Sequence, residues 1–437
     1  MGAMPLSRVR LMPLLPIVLL AASCAVPPAG PQATATGAST RPATVVPTPT
    51  LAAEIQGPNL RQTAGGGWQA LGLLTNRSET TVEALNLSIQ LVGPQGQVLA
   101  KRPATTELTL LPAGQTSPFF VSFPAGTAAE SAALEIASYQ PVTSTHVPLT
   151  VNLAAVHQMP GGGSRVLGTI AAEGSRGAEL AGLSLAVFEQ DELVALSESP
   201  TAARWLTPGD EHAFEATLPG AAALNQLIAY AVGRSGPLPP APQVEVELDP
   251  GVGIDAQGNA VLAGTLVNQG SQSLPIRLLL TVRQSGRLAR VVALASPIPL
   301  RPDETRAFGL RLEGLPDGDP ETTLAVETTI EPLPANELTG IASLTAVINS
   351  FEQLGGSVFL RGDVTNAGTI GARDPTLFAA VRNTEGELLA AAWLTAASDL
   401  PAGQMVPFVL ELPLPAEVNL ALAEFDLQAL GWLTAGG

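Results

Sequence analysis

Histidine and cysteine, the residues that most often carry acid–base chemistry or bind transition metals, are almost missing from this chain of 437 residues. It holds three histidines, His146, His157 and His212, and one cysteine, Cys24. A zinc site needs three or four Cys, His or carboxylate ligands at suitable spacing. Here there is no second cysteine and no HxxxH pattern. A nucleophilic serine needs a base beside it, and no Gly-x-Ser-x-Gly elbow occurs. The fragment Gly162-Gly163-Ser164-Arg165 is a glycine-rich turn ahead of a strand and lacks the lysine and helix of a phosphate loop. The expectation is no catalytic residue, no cofactor and no His-based metal site.

Carboxylates leave one further route. Asp249-Pro250-Gly251-Val252-Gly253-Ile254-Asp255-Ala256-Gln257-Gly258-Asn259 and Pro316-Asp317-Gly318-Asp319-Pro320-Glu321 both bear hard oxygen ligands. If the two loops met at one end of a domain they could hold Ca²⁺. Neither matches an EF-hand, and Asp-Gly and Asp-Pro are also ordinary turn dipeptides. Among the tryptophans, Trp205 and Trp393 sit in apolar stretches and read as core. Trp432, in Leu430-Gly431-Trp432-Leu433, reads as packing, with carbohydrate stacking as the other reading.

The elements that would have to position any such group recur four times. A glycine inside a β-type run appears at Gly72, Gly168, Gly264 and Gly362. A proline-centred turn follows each, as Leu111-Pro112-Ala113-Gly114, Thr207-Pro208-Gly209-Asp210, Arg301-Pro302-Asp303-Glu304 and Leu400-Pro401-Ala402-Gly403. After each turn comes a phenylalanine: Phe119, Phe214, Phe308 and Phe408. Between glycine and proline lies an apolar run ending in a hairpin turn, such as Gly93-Pro94-Gln95-Gly96 or Asn383-Thr384-Glu385-Gly386. Each unit then closes on another strand. Short apolar runs punctuated by Gly, Pro, Asn and Asp are antiparallel strands joined by tight turns. Six or seven strands per period are enough for two stacked sheets. Asn76, Asn268 and Asn366 end the glycine runs, where an asparagine can cap a turn through its side chain. Repeat two has Ala172-Glu173-Gly174 there instead. Helix signals are confined to short pieces at Ala221 to Ala223 and Ala416 to Ala423.

Composition agrees with many short strands. The chain is 46% hydrophobic but 4% aromatic, with 43 Gly and 39 Pro, which suits aliphatic cores and turns better than long helices. Its mean hydropathy is positive, yet after residue 24 no apolar run reaches the roughly 20 residues a membrane-spanning helix needs. The formal net charge is −17 and Lys101 is the one lysine. Such a surface repels phosphates and has no basic stripe, which excludes nucleic acid as a partner.

Arg8 and Arg10 precede an apolar segment from Leu11 to Ala22, the layout of a secretory signal. Leu20-Ala21-Ala22-Ser23-Cys24 resembles a bacterial lipobox, with Ala21 standing where leucine is usual. The resemblance implies that Cys24 is lipidated and becomes the first residue of the mature chain. Cleavage after Ser23 removes Arg8 and Arg10 and no acid, which takes the charge from −17 to −19. A lone cysteine excludes an internal disulfide, so the domains must hold through packing. From Ala25 to about Thr50 the chain is Pro, Ala, Thr, Ser and Gly, a composition that reads as a disordered tether.

The repeated order Gly-x-Leu/Val-x-Asn, alternating strand, hairpin and Leu-x-Pro-Gly/Asp-x-x-x-x-Phe resembles the FxLYD domain and related immunoglobulin-like sandwiches of bacterial cell-envelope lipoproteins. It covers residues from about 55 to 437. The Tyr-Asp pair of that family is absent, the corresponding stretches being Leu91-Val92-Gly93, Val187-Phe188-Glu189, Val282-Arg283-Gln284 and Val381-Arg382-Asn383. The resemblance implies interaction or spacer modules and brings no catalytic residues.

The expected architecture is all-β: four tandem immunoglobulin-like antiparallel β-sandwiches after a signal peptide and a disordered linker. The expected divisions are 1–23 for the signal, 24–52 for the lipidated cysteine and tether, then sandwiches at 53–144, 145–239, 240–338 and 339–437. Short proline-bearing linkers predict a semi-rigid array that reaches on the order of 120 to 160 Å if strands of roughly 20 Å stand end to end. The expected role is non-catalytic: an envelope protein, membrane-anchored through Cys24, acting as a surface spacer, adhesion or protein-interaction module toward a protein or surface polymer. The alternative is a ligand-binding lipoprotein that presents a glycan or peptide to an envelope enzyme or transporter. A cleft between two units or an exposed aromatic platform would favour it.

Overall fold

In repeats one, three and four the glycine, the phenylalanine and the asparagine turn out to be parts of one joint, and in repeat two His212 stands in for the asparagine. The computed structural model describes residues 51–437, apart from 127, 250–252, 297, 316–323, 334–339, 417, 419 and 435–437. These residues group as one unit, separate from residues 1–50. No helix among them is long and apolar enough to cross a membrane.

The glycine-bearing runs form strands Trp68–Asn76, Ser164–Ala172, Ala260–Asn268 and Ser357–Thr365, here called the glycine strands. Each pairs on one side with a phenylalanine strand: Thr116–Phe123, Glu211–Leu218, Thr305–Leu312 or Met405–Pro413. On its other side lies an opening strand: Ala53–Gln62, Leu149–Gln158, Val244–Leu248 or Ile341–Leu354. These three make the glycine sheet of each repeat. The hairpin sheet facing it holds two hairpin strands and a closing strand. The hairpins are Thr81–Val92 with Val98–Thr105, Ala178–Glu189 with Glu192–Leu196, Ile276–Gln284 with Arg287–Ala295, and Ala372–Arg382 with Leu388–Thr395. The closing strands are Ser131–Val142, Leu227–Ser235, Leu324–Pro332 and Glu424–Leu433. All pairings between these named strands are antiparallel, and the fold is the expected all-β one. The opening strand of repeat one, not foreseen in the sequence, carries Gly57-Pro58 at its centre, which reads as a turn but is tolerated on a sheet edge.

Register explains the repeated residue types. Gly72, Gly168, Gly264 and Gly362 stand directly opposite Phe119, Phe214, Phe308 and Phe408. The rings of the first three are fully buried and Phe408 is nearly so. A Cβ on Gly264 would come within 2.7 Å of both the Phe308 ring and the Glu247 carbonyl oxygen of the opening strand. At Gly168 the corresponding clashes are with Phe214 at 2.6 Å and Asn152 O at 2.5 Å. Glycine leaves room for the ring on one side and a close backbone on the other.

Each proline turn ends in a left-handed residue five positions before the phenylalanine: Gly114, Gly209, Asp303 and Gly403. The asparagine ties that turn to the glycine strand. Asn268 Nδ2 donates to Gln272 O (2.8 Å) and Leu300 O (2.9 Å), and its Oδ1 accepts from Gly270 N–H. Asn76 and Asn366 make the same three bonds, and all three asparagines are buried. In repeat two, where Ala172 replaces asparagine, His212 supports the turn. Its Nε2 accepts from Thr207 N–H at 3.2 Å.

The repeats do not stand end to end. The outer face of each glycine sheet but the last lies on the outer face of the next repeat's hairpin sheet, so the four sandwiches form one stack. In repeat four the opening strand also pairs with the closing strand at Ile341–Leu344, which joins its two layers into one six-stranded sheet. Leu71, Leu73 and Phe120 of repeat one pack on Ala186, Leu193 and Leu196 of repeat two. Leu279 and Val291 of repeat three join the core of repeat two. Ala263 and Ala307 of repeat three meet Ala380, Leu388 and Ala391 of repeat four. The expectation of an end-to-end array is therefore corrected. Its physical reason is that the first three glycine strands also carry apolar residues on the outer face, Leu71 and Leu73, Leu167, and Val261 and Ala263, and burying these removes more apolar area from water.

Candidate functional site

The residues that the sequence nominates for chemistry do not come together. His146 is exposed on the short strand His146–Val147, His157 lies on the opening strand of repeat two, and His212 is half-buried in the phenylalanine strand. Burial pushes the His212 imidazole below its ordinary pKa, against the opposing pull of Asp210 and Glu331. Its bond from Thr207 N–H makes Nε2 an acceptor, so the ring is neutral with its proton on Nδ1. Among the described residues no three His, Cys, Asp or Glu side chains gather as a metal site.

Cys24 and the acidic loop Pro316 to Glu321 lie outside the described residues, apart from the loop's neighbours. Of the first acidic loop, Asp255 is described, and its carboxylate is already fully engaged. Burial raises its pKa, but the backbone and side-chain donors of Asn259, the Gln257 N–H and the Arg311 guanidinium outweigh this and hold it below the usual carboxylate range. Arg311 Nε sits 2.7 Å from Asp255 Oδ2. Asp255 is thus a turn organiser and the anchor of an arginine that reaches repeat four, where Arg311 donates to Ser357 Oγ at 2.6 Å.

Trp432 is buried, packed with Ile298 of repeat three, Phe378 and Leu430. It belongs to the joint between repeats three and four and is no platform for a glycan. Trp393 lies edge-on to Phe378 with ring centroids 5.9 Å apart.

Buried charge, which sequence reasoning did not single out, is spent at the joints between repeats. At the second joint Glu215 of repeat two is held by Arg165 of its own repeat (3.1 Å) and Arg290 of repeat three (3.0 Å). It also accepts from Val291 N–H at 2.9 Å. Nearby, Glu331 of repeat three binds Arg277 (2.9 Å) and accepts from Arg204 N–H of repeat two (2.5 Å). At the third joint the buried Arg306 guanidinium lies 4.3 Å from the Phe378 ring centroid and donates to Ile298 O, Ser296 Oγ and Glu304. A charge out of water needs such partners to be tolerated. The signal available in the sequence was an Arg or Glu inside an otherwise apolar strand, on the outward face at Arg165, Glu215, Arg277 and Glu331 and in phase with the core residues Phe308 and Leu310 at Arg306.

Two clefts open where repeats one and two meet. One, about 490 Å³, is polar and is lined by Asn59, Arg61, Glu189, Gln190, Glu192 and Gln226. The other, about 430 Å³, runs along Leu149, Val151, Leu153, Ile228 and Tyr230. A smaller one of about 170 Å³ at the third joint holds Glu247, Asp249 and Arg382. Burial, with the nearby negative charge of Glu387 and Glu247, raises the Asp249 pKa despite the opposing Arg382.

No protein-family model matches the chain, and no curated protein sequence does. Solved structures give weak likenesses. Trypsin-activated alpha-2-macroglobulin from Escherichia coli is 13% identical over 87% of this chain and 30% of its own, with a TM-score of 0.14. The native conformation of the Escherichia coli alpha-2-macroglobulin is 12% identical over 84% of this chain and 27% of its own, also at 0.14. The BSP domain of a biofilm-associated protein is 8% identical over 86% of this chain and 93% of its own, at 0.13. This chain therefore spans about 30% of the length of the macroglobulin chains it matches. At these scores the likenesses carry nothing about ligand, partner or activity.

Proposed function

We propose that the chain is a non-catalytic, extracytoplasmic envelope protein, lipid-anchored at Cys24, in which a tether holds a rigid stack of sandwiches that serves as a surface spacer and protein-interaction module. The observation that carries this reading is where the buried ionic groups go. Arg165, Glu215, Arg290, Glu331, Asp255 and Arg311 are each consumed by a bond that fixes one repeat on the next or fixes a turn beside that joint. Groups spent in this way build a rigid body and are not poised for proton transfer. The sequence supports the anchor through Arg8, Arg10, the apolar segment and the position of Cys24.

Metabolic labelling with a palmitate analogue tests the anchor. Wild type is expected to take up label and to be cut by protease added outside the cell, while Cys24→Ser takes up none. Label on neither chain, with the protein in the medium, overturns the anchored reading.

The polar cleft between repeats one and two favours a second reading, in which the chain binds a glycan or peptide for an envelope enzyme or transporter. Its lining mixes Arg61 with Glu189, Glu192 and amide side chains, which suits a polar extended ligand. Screening against oligosaccharide and peptide arrays decides it. A hit weakened at least tenfold by Glu192→Ala supports this reading, and no hit on either array removes it.

A further inference from the structure

The exposed apolar side chains are unevenly distributed. Of the twelve large ones that stand exposed among the described residues, eight lie in repeat four. Three of them share the outer face of its glycine sheet: Val347 at 54%, Met405 at 62% and Val409 at 50% exposure. By register, Val409 stands opposite Arg361, and Val347 and Pro407 flank Asp363. Leu360, Gly362 and Val364 alternate with these and turn inward.

This face has a known use elsewhere in the molecule. The residue after the repeat phenylalanine is an interface residue in the first three repeats. Phe120 packs on repeat two, Glu215 binds Arg290 of repeat three, and Gly309 lies so close to the Ala391 backbone that a side chain would not fit. Its counterpart in repeat four is Val409, half exposed and covered by none of the described residues. The residue before the repeat glycine is buried in repeats one to three, as Leu71, Leu167 and Ala263, whereas Arg361 is exposed. Among the described residues, repeat four therefore presents the docking face of the stack uncovered.

We propose that this face binds the same face of a second copy of the chain, making a two-fold dimer. A head-to-tail contact with repeat one fits less well. The free hairpin face there carries Asn86, Ser88, Gln90 and the exposed Lys101–Glu135 pair along its centre, with Val98 alone exposed at the hairpin end. The repeat-four face complements itself. A two-fold axis that crosses the strands between the rows of Arg361 and Asp363 sets Arg361 over Asp363 of the partner subunit. The same axis lays Val409 on Pro407 of the partner subunit. Isologous contacts of this kind close at two copies. Each chain carries a net charge of −17, so the contact forms best at physiological salt, where the screening length is about 8 Å.

The test is the mass of the full-length chain in detergent by light scattering, over roughly 1 to 100 µM in 150 mM salt. Twice the mass of the single processed chain is expected. Val409→Arg and Arg361→Glu, both at exposed positions, are expected to raise the dissociation constant at least tenfold with an unchanged melting temperature. Arg361→Glu combined with Asp363→Arg swaps the charges and restores the dimer. Cys24→Ser is expected to dimerise as wild type does, which separates this contact from the lipid. A single-chain mass throughout overturns the proposal. So does a dimer that Val409→Arg and Arg361→Glu leave unchanged, or one that vanishes with Cys24→Ser.

Discussion

A glycine facing a phenylalanine is the smallest unit of this architecture, and it sets the most direct mutational prediction. At position 264 a methyl group must displace both the Phe308 ring and the Glu247 carbonyl. Overpacking of a closed site costs about 1–3 kcal/mol, so Gly264→Ala is expected to lower stability by about that much in urea unfolding. Emptying the same joint with Phe308→Ala costs more, about 3–5 kcal/mol, because a large buried ring is lost. If both variants unfold at the wild-type midpoint, the glycine recurs for some other reason. The spacing of these residues was legible in the sequence. Their mutual contact was not, because a one-dimensional period of glycines and phenylalanines does not say which strands become neighbours.

At the scale of the element, the asparagine joint and its substitute behave differently. Asn268→Ala leaves the Gln272 and Leu300 carbonyls without their donor, at about 1–3 kcal/mol for each one left bare. Asn268→Asp is no rescue, since a carboxylate cannot donate to them. In repeat two the joint titrates. His212 is neutral in the fold with its pKa lowered by burial, and the unfolded chain binds the proton first. Stability is thus unaffected well above the unfolded pKa of about 6.5, falls as pH drops below it, and levels off below the folded value. His212→Gln keeps an acceptor without titrating, so its melting temperature is expected to fall less than wild type between pH 7 and pH 5. Equal falls would locate the pH dependence elsewhere. The turn role of the asparagines was readable from their place before Arg-Ser, Gln-Gly and Ala-Gly. The His212 substitute was not, since only the folded chain brings it to Thr207. Strand patterns held more information than the expected array drew from them. Leu71-Gly72-Leu73 and Leu278-Leu279-Leu280 are apolar at successive positions, as strands buried on both faces are. The hairpin strand of repeat one alternates Leu85, Leu87 and Ile89 with Asn86, Ser88 and Gln90, as a strand with one polar face does.

Across the whole molecule, the three joints have three chemistries. The first is aliphatic and aromatic, around Leu71, Leu73 and Phe120. The second is ionic, with Glu215 between Arg165 and Arg290. The third pairs small side chains with a buried arginine, as Ala263 and Ala307 lie on Ala391 and Arg306 lies on Phe378. Removing one member of a buried ionic group costs about 3–5 kcal/mol, so Glu215→Ala is expected to unfold early and to open the chain to protease between repeats two and three. An unchanged cleavage pattern would mean that the apolar contacts of Leu279 and Val291 hold that joint alone. Repeats that look equivalent along the chain are thus not interchangeable parts. Exchanging the second and third would leave Glu215 facing Ala380 and Leu388 with no Arg290, and would set Gly309, shaped for the Ala391 backbone, against the bulk of Leu193. Each joint accepts one neighbour, so the order of the four sandwiches is written into their faces and not only into the connections between them.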